Sequence, residues 1–261
     1  MSASTQKADR NLKIHCEDIS KTFIQKGNQQ VPVIKDITLD VFENEFLVVL
    51  GPGQSGKSTL LKIIAGLELP DKGYVTLDGN PVSGPGPDRG IVFQSYMLFA
   101  WKTVQDNVEL GLKLRNIPPN ERHEIAHHYI KMVGLEGFEK HYPHQLSGGM
   151  KQRVGIARAY ANSPKVMLLD EPFGQLDAQT RLYMQGETAR IWEQEKRTVL
   201  FVTNNIDEAL FLADRIVLME GKLPGTIKTS YDVPFARPRE HTSMELLQLR
   251  QKIIDNTELI L

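Results

Sequence analysis

Between an apolar run, Phe46–Leu50, and a segment of helical periodicity over 57–67 stands Gly51-Pro52-Gly53-Gln54-Ser55-Gly56-Lys57-Ser58-Thr59. It fits the pattern G-x-x-x-x-G-K-[ST] in the strand–loop–helix context that gives the pattern meaning. The spacing has a chemical reason. Gly53 and Gly56 let the backbone curl so that several N–H groups point inward at phosphate oxygens. The helix start adds favourable partial charge. Lys57 is expected to reach the β- and γ-phosphates, and the Ser58 hydroxyl to hold Mg²⁺. A buried strand feeding a helix through such a loop commits the chain to an α/β fold.

The remaining pattern agrees. Strands are expected over 12–23, over 33–42 with Asn44 breaking the run, and in short pieces around Tyr74, Val75 and Leu77 and over 90–94. Segments 104–146 read as helices separated by Pro118-Pro119, Gly134 and Gly137, and 147–161 as a further helix. Val166–Asp170 and Thr198–Thr203 read as buried strands, 178–196 and 207–213 as helices, and Arg215–Met219 as a last strand. Strands alternating with helices imply a mainly parallel sheet. After Gly221 the chain reads as irregular, with Pro224, Pro234 and Pro238. A final helix is then expected. Thr242-Ser-Met-Glu245 has capping-box spacing, and Leu246, Leu249 and Ile253 share a face.

Composition narrows the partners. In 261 residues, 31 Lys+Arg face 32 Asp+Glu, a net charge of -1. That removes bulk attraction to nucleic acid or acidic lipid as a leading idea. One cysteine, Cys16, forms no internal disulfide and suits a reducing compartment. No stretch approaches the roughly 20 apolar residues of a membrane span. Residues 1–11 are polar and lack the apolar region of a signal peptide. A soluble, intracellular protein is expected.

A triphosphate site needs a carboxylate for Mg²⁺, and Val166-Met-Leu-Leu-Asp170-Glu171-Pro172 supplies one where a buried strand ends. Asp170 is expected to help hold the ion, and Glu171 to polarise the attacking water as general base. Kinases, GTPases and motor ATPases share this combination. Leu146-Ser147-Gly148-Gly149-Met150-Lys-Gln-Arg153 separates them from this chain. It resembles the signature motif of ABC ATPases, with Met150 where Gln is usual. The resemblance implies a P-loop NTPase core, a mainly parallel sheet flanked by helices. An N-terminal antiparallel β part and a helical insertion at about 95–150 complete it. It covers 12–220 as one ATPase domain, leaving 221–261 as a short tail with a terminal helix.

By the same resemblance, Ser147, Gly148 and Gly149 form a second cradle for ATP bound to the opposite subunit. The active unit is then a head-to-tail dimer with a like or unlike ATPase. Gln94 matches the loop residue that contacts Mg²⁺ and leads into the helical insertion. Asp177 matches the loop that crosses the dimer interface. Phe23 sits where the family places an aromatic against adenine, although a core Phe ending a strand accounts for it as well.

Leu98-Phe-Ala-Trp101, Asp170-Glu-Pro-Phe-Gly174, Leu176-Asp-Ala-Gln-Thr180 and Asp207-Glu-Ala-Leu-Phe-Leu-Ala-Asp214 look like ATPase subunits of nitrate/sulfonate/taurine-type importers. So does Phe235-Ala-Arg-Pro-Arg239. This implies an energy-coupling subunit on the cytoplasmic face of the membrane. Permease subunits would dock near 95–107, and a periplasmic or surface solute-binding protein would be engaged indirectly. Tyr96, Leu98, Phe99 and Trp101 form an apolar cluster there that either docks or packs the core. A soluble ABC ATPase acting on DNA or ribosomes is the alternative of another class. It usually brings tandem domains, coiled coils or basic extensions, none of which this sequence has.

One position departs from the family. After Val202-Thr203 it places a His that meets the γ-phosphate, and this chain has Asn204. Asn donates a hydrogen bond but is shorter and cannot become charged. Three readings stay open: slower turnover, weak hydrolysis beside a partner ATPase that carries the His, or routine use of Asn with little loss.

Overall fold

The computed structural model describes residues 10–256, so the reading of 1–11 as free of a leader falls largely outside it. Along the chain run β1 (Leu12–Gln25), β2 (Gln29–Phe42), β3 (Phe46–Leu50), helix α1 (Lys57–Ala65), β4 (Lys72–Leu77), β5 (Asn80–Pro81) and β6 (Arg89–Val92). Then come α2 (Val104–Leu114), α3 (Pro119–Met132), α4 (Gly148–Ala161), β7 (Val166–Asp170), α5 (Ala178–Glu195) and β8 (Thr198–Thr203). Helix α6 (Ile206–Leu212), β9 (Arg215–Met219), β10 (Ile227–Asp232) and α7 (Met244–Asp255) complete the order. The residues form two compact units, one up to Gly86 and again from Arg197, the other Pro87–Lys196.

In the first unit an antiparallel sheet has the order β2-β1-β4-β5. Beside it, β3 lies between β8 and β9, parallel to both, and β10 pairs antiparallel with β9. Strands β3 and β8 are buried at every position, which is why they read as unbroken apolar runs. Each fully buried large apolar side chain there contributes about 1.5–3 kcal/mol. Polar groups fix the entry to this core. Asn44, left-handed at φ 58°, turns the chain into β3, and its N–H donates to Thr198 Oγ1 at 2.9 Å. Arg215 donates to both oxygens of buried Glu45, at 2.8 and 3.1 Å, tying the start of β9 to the residue before β3. The register aligns Leu50 with Thr203 on one side and Leu218 on the other, so three strands end level where the phosphate loop begins.

In the second unit β6 and β7 pair in parallel, and α2, α3 and α4 pack against one another. Helix α2 opens with a capping box between Thr103 and Asp106. No helix among the described residues is long and apolar enough to cross a membrane.

The chain after Gly221 is not irregular as expected: it contains β10. Only Tyr231 is buried in that strand, because it sits at the sheet edge and has no second apolar face to show in the sequence. The cap of α7 is also different from its reading. Ser243, not Thr242, takes the cap position, and no side chain bonds there. Leu246 and Ile253 do share the buried face, with Leu249 half-buried. Strand β6 ends at Val92, which leaves Gln94 in the following loop rather than in the strand.

Candidate functional site

The loop between β3 and α1 curls at Gly56 as expected, but Gly53 is not left-handed and the second left-handed position is Gln54. Gln54 and Gly56 are left-handed, at φ 64° and 87°. A Cβ on Gly56 would meet the side chain of Ile34 and lie 2.9 Å from the Val33 carbonyl oxygen, so no larger residue fits. A Cβ on Gly53, by contrast, would meet nothing within 4 Å: its face is open. Lys57 is only 3% exposed. Its Nζ donates to the carbonyl oxygens of Gly51 and Pro52 at 2.9 and 2.7 Å and lies 3.5 Å from Ser55 Oγ. The ammonium is thus held inside the loop. Helix α1 starts with no side-chain cap and no acidic residue in its first turn. No capping side chain therefore competes for this helix start, and its dipole end favours negative charge. Ser58 and Thr59 follow in that turn, both half-buried.

Asn204 enters beside this loop in the same unit. The Gly51 N–H donates to the Thr203 carbonyl at 3.3 Å, and Asn204 is the next residue, exposed. Its neighbours are fixed. Asn205 caps α6, its Oδ1 accepting from the N–H groups of Asp207 and Glu208 at 2.8 and 3.1 Å. Thr203 Oγ1 donates to Glu208 Oε2 at 2.6 Å. Phe23 lies on β1 opposite Val31, half-buried, with Lys21 Nζ 5.3 Å from its ring centre.

The other predicted residues lie in the second unit. Asp170 ends β7, buried, and Glu171 follows in a left-handed turn at φ 41°, its carbonyl accepting from the Gly174 N–H at 3.1 Å. The pairing of Val92 with Leu169 brings Gln94 level with this turn. A Cβ on Gly174 would sit 3.2 Å from Gln94 Nε2, so the glycine gives that amide its place. Ser147 caps α4, its Oγ accepting from the Met150 N–H at 3.3 Å. A Cβ on Gly148 would lie 2.9 Å from the Tyr96 hydroxyl, and one on Gly149 2.6 Å from Thr180 Cγ2. Asp177 caps α5 through the Thr180 N–H at 3.0 Å, and that bond holds its carboxyl below the usual range. In the cluster after Gln94, Trp101 is 74% exposed while Tyr96, Leu98 and Phe99 are half-buried.

Thr203, Asn205, Glu208 and Gly174 stand within segments that the sequence reading quoted, but it gave them no role, and the structure shows them shaping the site. Asn205 alone left a signal, an amide residue directly before a helix, which is a capping position.

Comparison with known proteins agrees with the geometry. The family model described as ABC transporter matches residues 34–174. An ABC transporter ATP-binding protein of Methanocaldococcus jannaschii is 54% identical over 251 residues, 96% of this chain and 93% of that protein. The nitrate import ATP-binding protein NrtD of Synechococcus elongatus is 44% identical over 93% of this chain and 90% of its own length. The aliphatic sulfonates import ATP-binding protein SsuB of Bacillus thuringiensis is 41% identical over 95% of this chain and 96% of its own length. Among solved structures, the dimeric ABC cassette MJ0796 in a post-hydrolysis state bound to ADP and Pi matches with a TM-score of 0.75. It is 32% identical, over 85% of this chain and 100% of that one. This chain belongs to the ABC transporter family, as one of its ATP-binding, ATP-hydrolysing subunits.

Proposed function

We propose that the chain is the energy-coupling ATPase of an importer for a small anionic solute of the nitrate or sulfonate kind. Residues 12–220 would be its ATPase domain. The observation that carries the nucleotide site is the uncapped start of α1 with Lys57 held in the loop before it. The importer part is supported by the nitrate and sulfonate import relatives and by the similar phrases at 98–101 and 207–214.

In this reading the loop N–H groups and Lys57 bind the phosphates of ATP. Ser58, Gln94 and Asp170 offer hydroxyl, amide and carboxylate oxygens, the hard donors that suit Mg²⁺. Such an ion, when bound there, would supply positive charge to offset that of the phosphates. Glu171 orients the attacking water and takes up its proton. Asn204 donates to the γ-phosphate where the family uses His. Ser147, Gly148 and Gly149 serve the nucleotide of a second ATPase subunit, and Asp177 faces that subunit. Phe23 faces the adenine. Permease subunits dock near 95–107, placing the chain on the cytoplasmic face of the membrane.

Asn204 favours one second reading: a subunit that binds ATP and hydrolyses it weakly, paired with a different ATPase that carries the His. Reconstitution with its permease and solute-binding protein in liposomes separates the two. Uptake of nitrate or of an alkanesulfonate, driven by ATP with this chain as sole ATPase, supports the first reading. Uptake only after a second, different ATPase is added supports the second. Uptake of neither anion under either condition overturns the assigned solute class.

A further inference from the structure

We propose that residues 219–225, beyond the motifs of the family, form the rear wall of the phosphate loop, and that Gly225 and Gly221 are positioning residues for nucleotide binding. The proposal rests on the reading of 51–59 as the nucleotide cradle and adds what holds that cradle in shape.

Three contacts build the wall, all within the first unit. A Cβ on Gly51 would lie 3.1 Å from the Met219 carbonyl oxygen. A Cβ on Gly221 would lie 2.7 Å from Pro52 Cγ. A Cβ on Gly225 would fall on the Ser55 carbonyl oxygen, with Ser55 C at 2.9 Å and Met219 Cε at 3.1 Å. Every residue on the loop side, Gly51, Pro52 and Ser55, belongs to the curl that presents N–H groups to phosphate. Gly225 lies outside the left-handed region, so a methyl there is not opposed by its own backbone. It is opposed by the loop.

Gly225 cannot retreat. Its N–H donates to the Val33 carbonyl at 2.8 Å, and its carbonyl accepts from the Lys35 N–H at 3.1 Å, joining it to β2 beside Ile34. The same two residues of β2, Val33 and Ile34, press on Gly56 at the far end of the loop. The curl is therefore confined from behind at Gly51, Pro52, Ser55 and Gly56, and open at Gly53. Added bulk at Gly225 moves Ser55 toward the open side. The shift reaches Lys57, whose Nζ lies 3.5 Å from Ser55 Oγ in the same curl. Hydrogen bonds to phosphate tolerate only a few tenths of an ångström before they weaken.

The test is calorimetric binding of MgADP, which is not turned over, to the full chain. Gly225→Ala is expected to weaken binding about tenfold or more, the scale of overpacking against backbone. Gly221→Ala should weaken it less, because a ring carbon yields. Gly73→Ala is the control: its Cβ would fall on the Glu17 carbonyl oxygen in the other sheet, so it should lower stability and leave affinity unchanged. Pro52→Ala removes the ring carbon facing Gly221, so Gly221→Ala added to Pro52→Ala should cost no further affinity. That rescue decides the matter even where Gly225→Ala does not fold. Wild-type affinity in Gly225→Ala overturns the wall, as does an equal loss in Gly73→Ala or no rescue in the double variant. Lys57→Ala distinguishes the underlying reading. If it binds MgADP as well as wild type, the cradle assignment fails, and the wall's role with it.

Discussion

Thr203 Oγ1 donates to Glu208 Oε2 at 2.6 Å while accepting from the Asn205 N–H at 3.0 Å, so one hydroxyl fixes the backbone on both sides of Asn204. The residue between is exposed, and its side chain can be exchanged without disturbing that frame. Asn204→His is therefore expected to fold normally, to bind MgATP as before and to raise turnover about tenfold, by supplying a longer and chargeable donor. The measurement is steady-state hydrolysis in the assembled transporter. A rate that stays level or falls means that Asn204 is no handicap.

Lys57 and Glu171 should separate binding from chemistry. Lys57→Ala removes the cation and leaves the Gly51 and Pro52 carbonyls without that donor. MgATP affinity is expected to fall by at least about tenfold, as for a charged hydrogen bond. Glu171→Gln keeps the size and loses the base. It should bind MgATP within about twofold of wild type and lose about a hundredfold or more in turnover. Equal losses of affinity in both variants would remove Glu171 from the catalytic role.

His15 gives stability a pH dependence. Its Nδ1 lies 2.7 Å from Asp40 Oδ1 and its Nε2 2.9 Å from Glu17 Oε2, and the bond to Asp40 raises its pKa above the ordinary value. The folded chain holds this proton more tightly than the unfolded one. The contribution is thus full below about pH 6.5 and is lost as pH climbs through the raised value. For partly exposed pairs it is at most about 1 kcal/mol. Urea unfolding should show wild type losing that margin over His15→Gln between about pH 6 and about pH 8. Parallel curves for the two proteins would place the pair among those that contribute nothing.

Cys16 lies on β1 between Leu39 and Val75, fully buried, and burial pushes its thiol up to about 12. The thiolate is the reactive form, so native protein should resist an aromatic disulfide reagent. Labelling should proceed only as the β1 sheet opens, at a rate that rises with urea. Rapid stoichiometric labelling without denaturant contradicts this.

What the sequence revealed follows from where its signal is local. Phe46–Leu50, Val166–Asp170, Thr198–Thr203 and Arg215–Met219 were legible to the residue, because strands covered on both faces carry contiguous apolar runs. The loop at 51–59 was legible because its motif is contiguous and Gly56 takes its left-handed φ of 87° within it. Gly221 and Gly225 were not, since their need for a missing side chain comes from Pro52 and Ser55, far away in sequence. Strand β10 was hidden for a related reason. Its partner β9 supplies the burial, and its own residues show only Tyr231 to the core. Gln94 was given its role by its motif, but Gly174 was quoted without one, as nothing in sequence spacing shows which amide a glycine must admit.

Arg239 ties the tail to the helix that follows Asn204. Its guanidinium donates to the carbonyls of Leu210, Phe211 and Ala213 at the end of α6, and to those of Val233 and Phe235 in the tail. Burial pushes its pKa down to about 10, still high enough for the group to be charged at neutral pH. A cation at a helix C-terminus is favourable, and here it also satisfies carbonyls that the helix leaves open. Arg239→Met keeps the stem and removes every donor. It should cost about 2–4 kcal/mol in urea unfolding, through buried acceptors left without partners. Arg239→Lys should recover only part, since a point-like ammonium cannot reach acceptors on both sides as a planar fork does. Because α6 starts directly after the Asn204–Asn205 turn, loosening its far end should lower turnover more than MgATP affinity. A variant that loses stability but keeps wild-type turnover would restrict Arg239 to holding the tail.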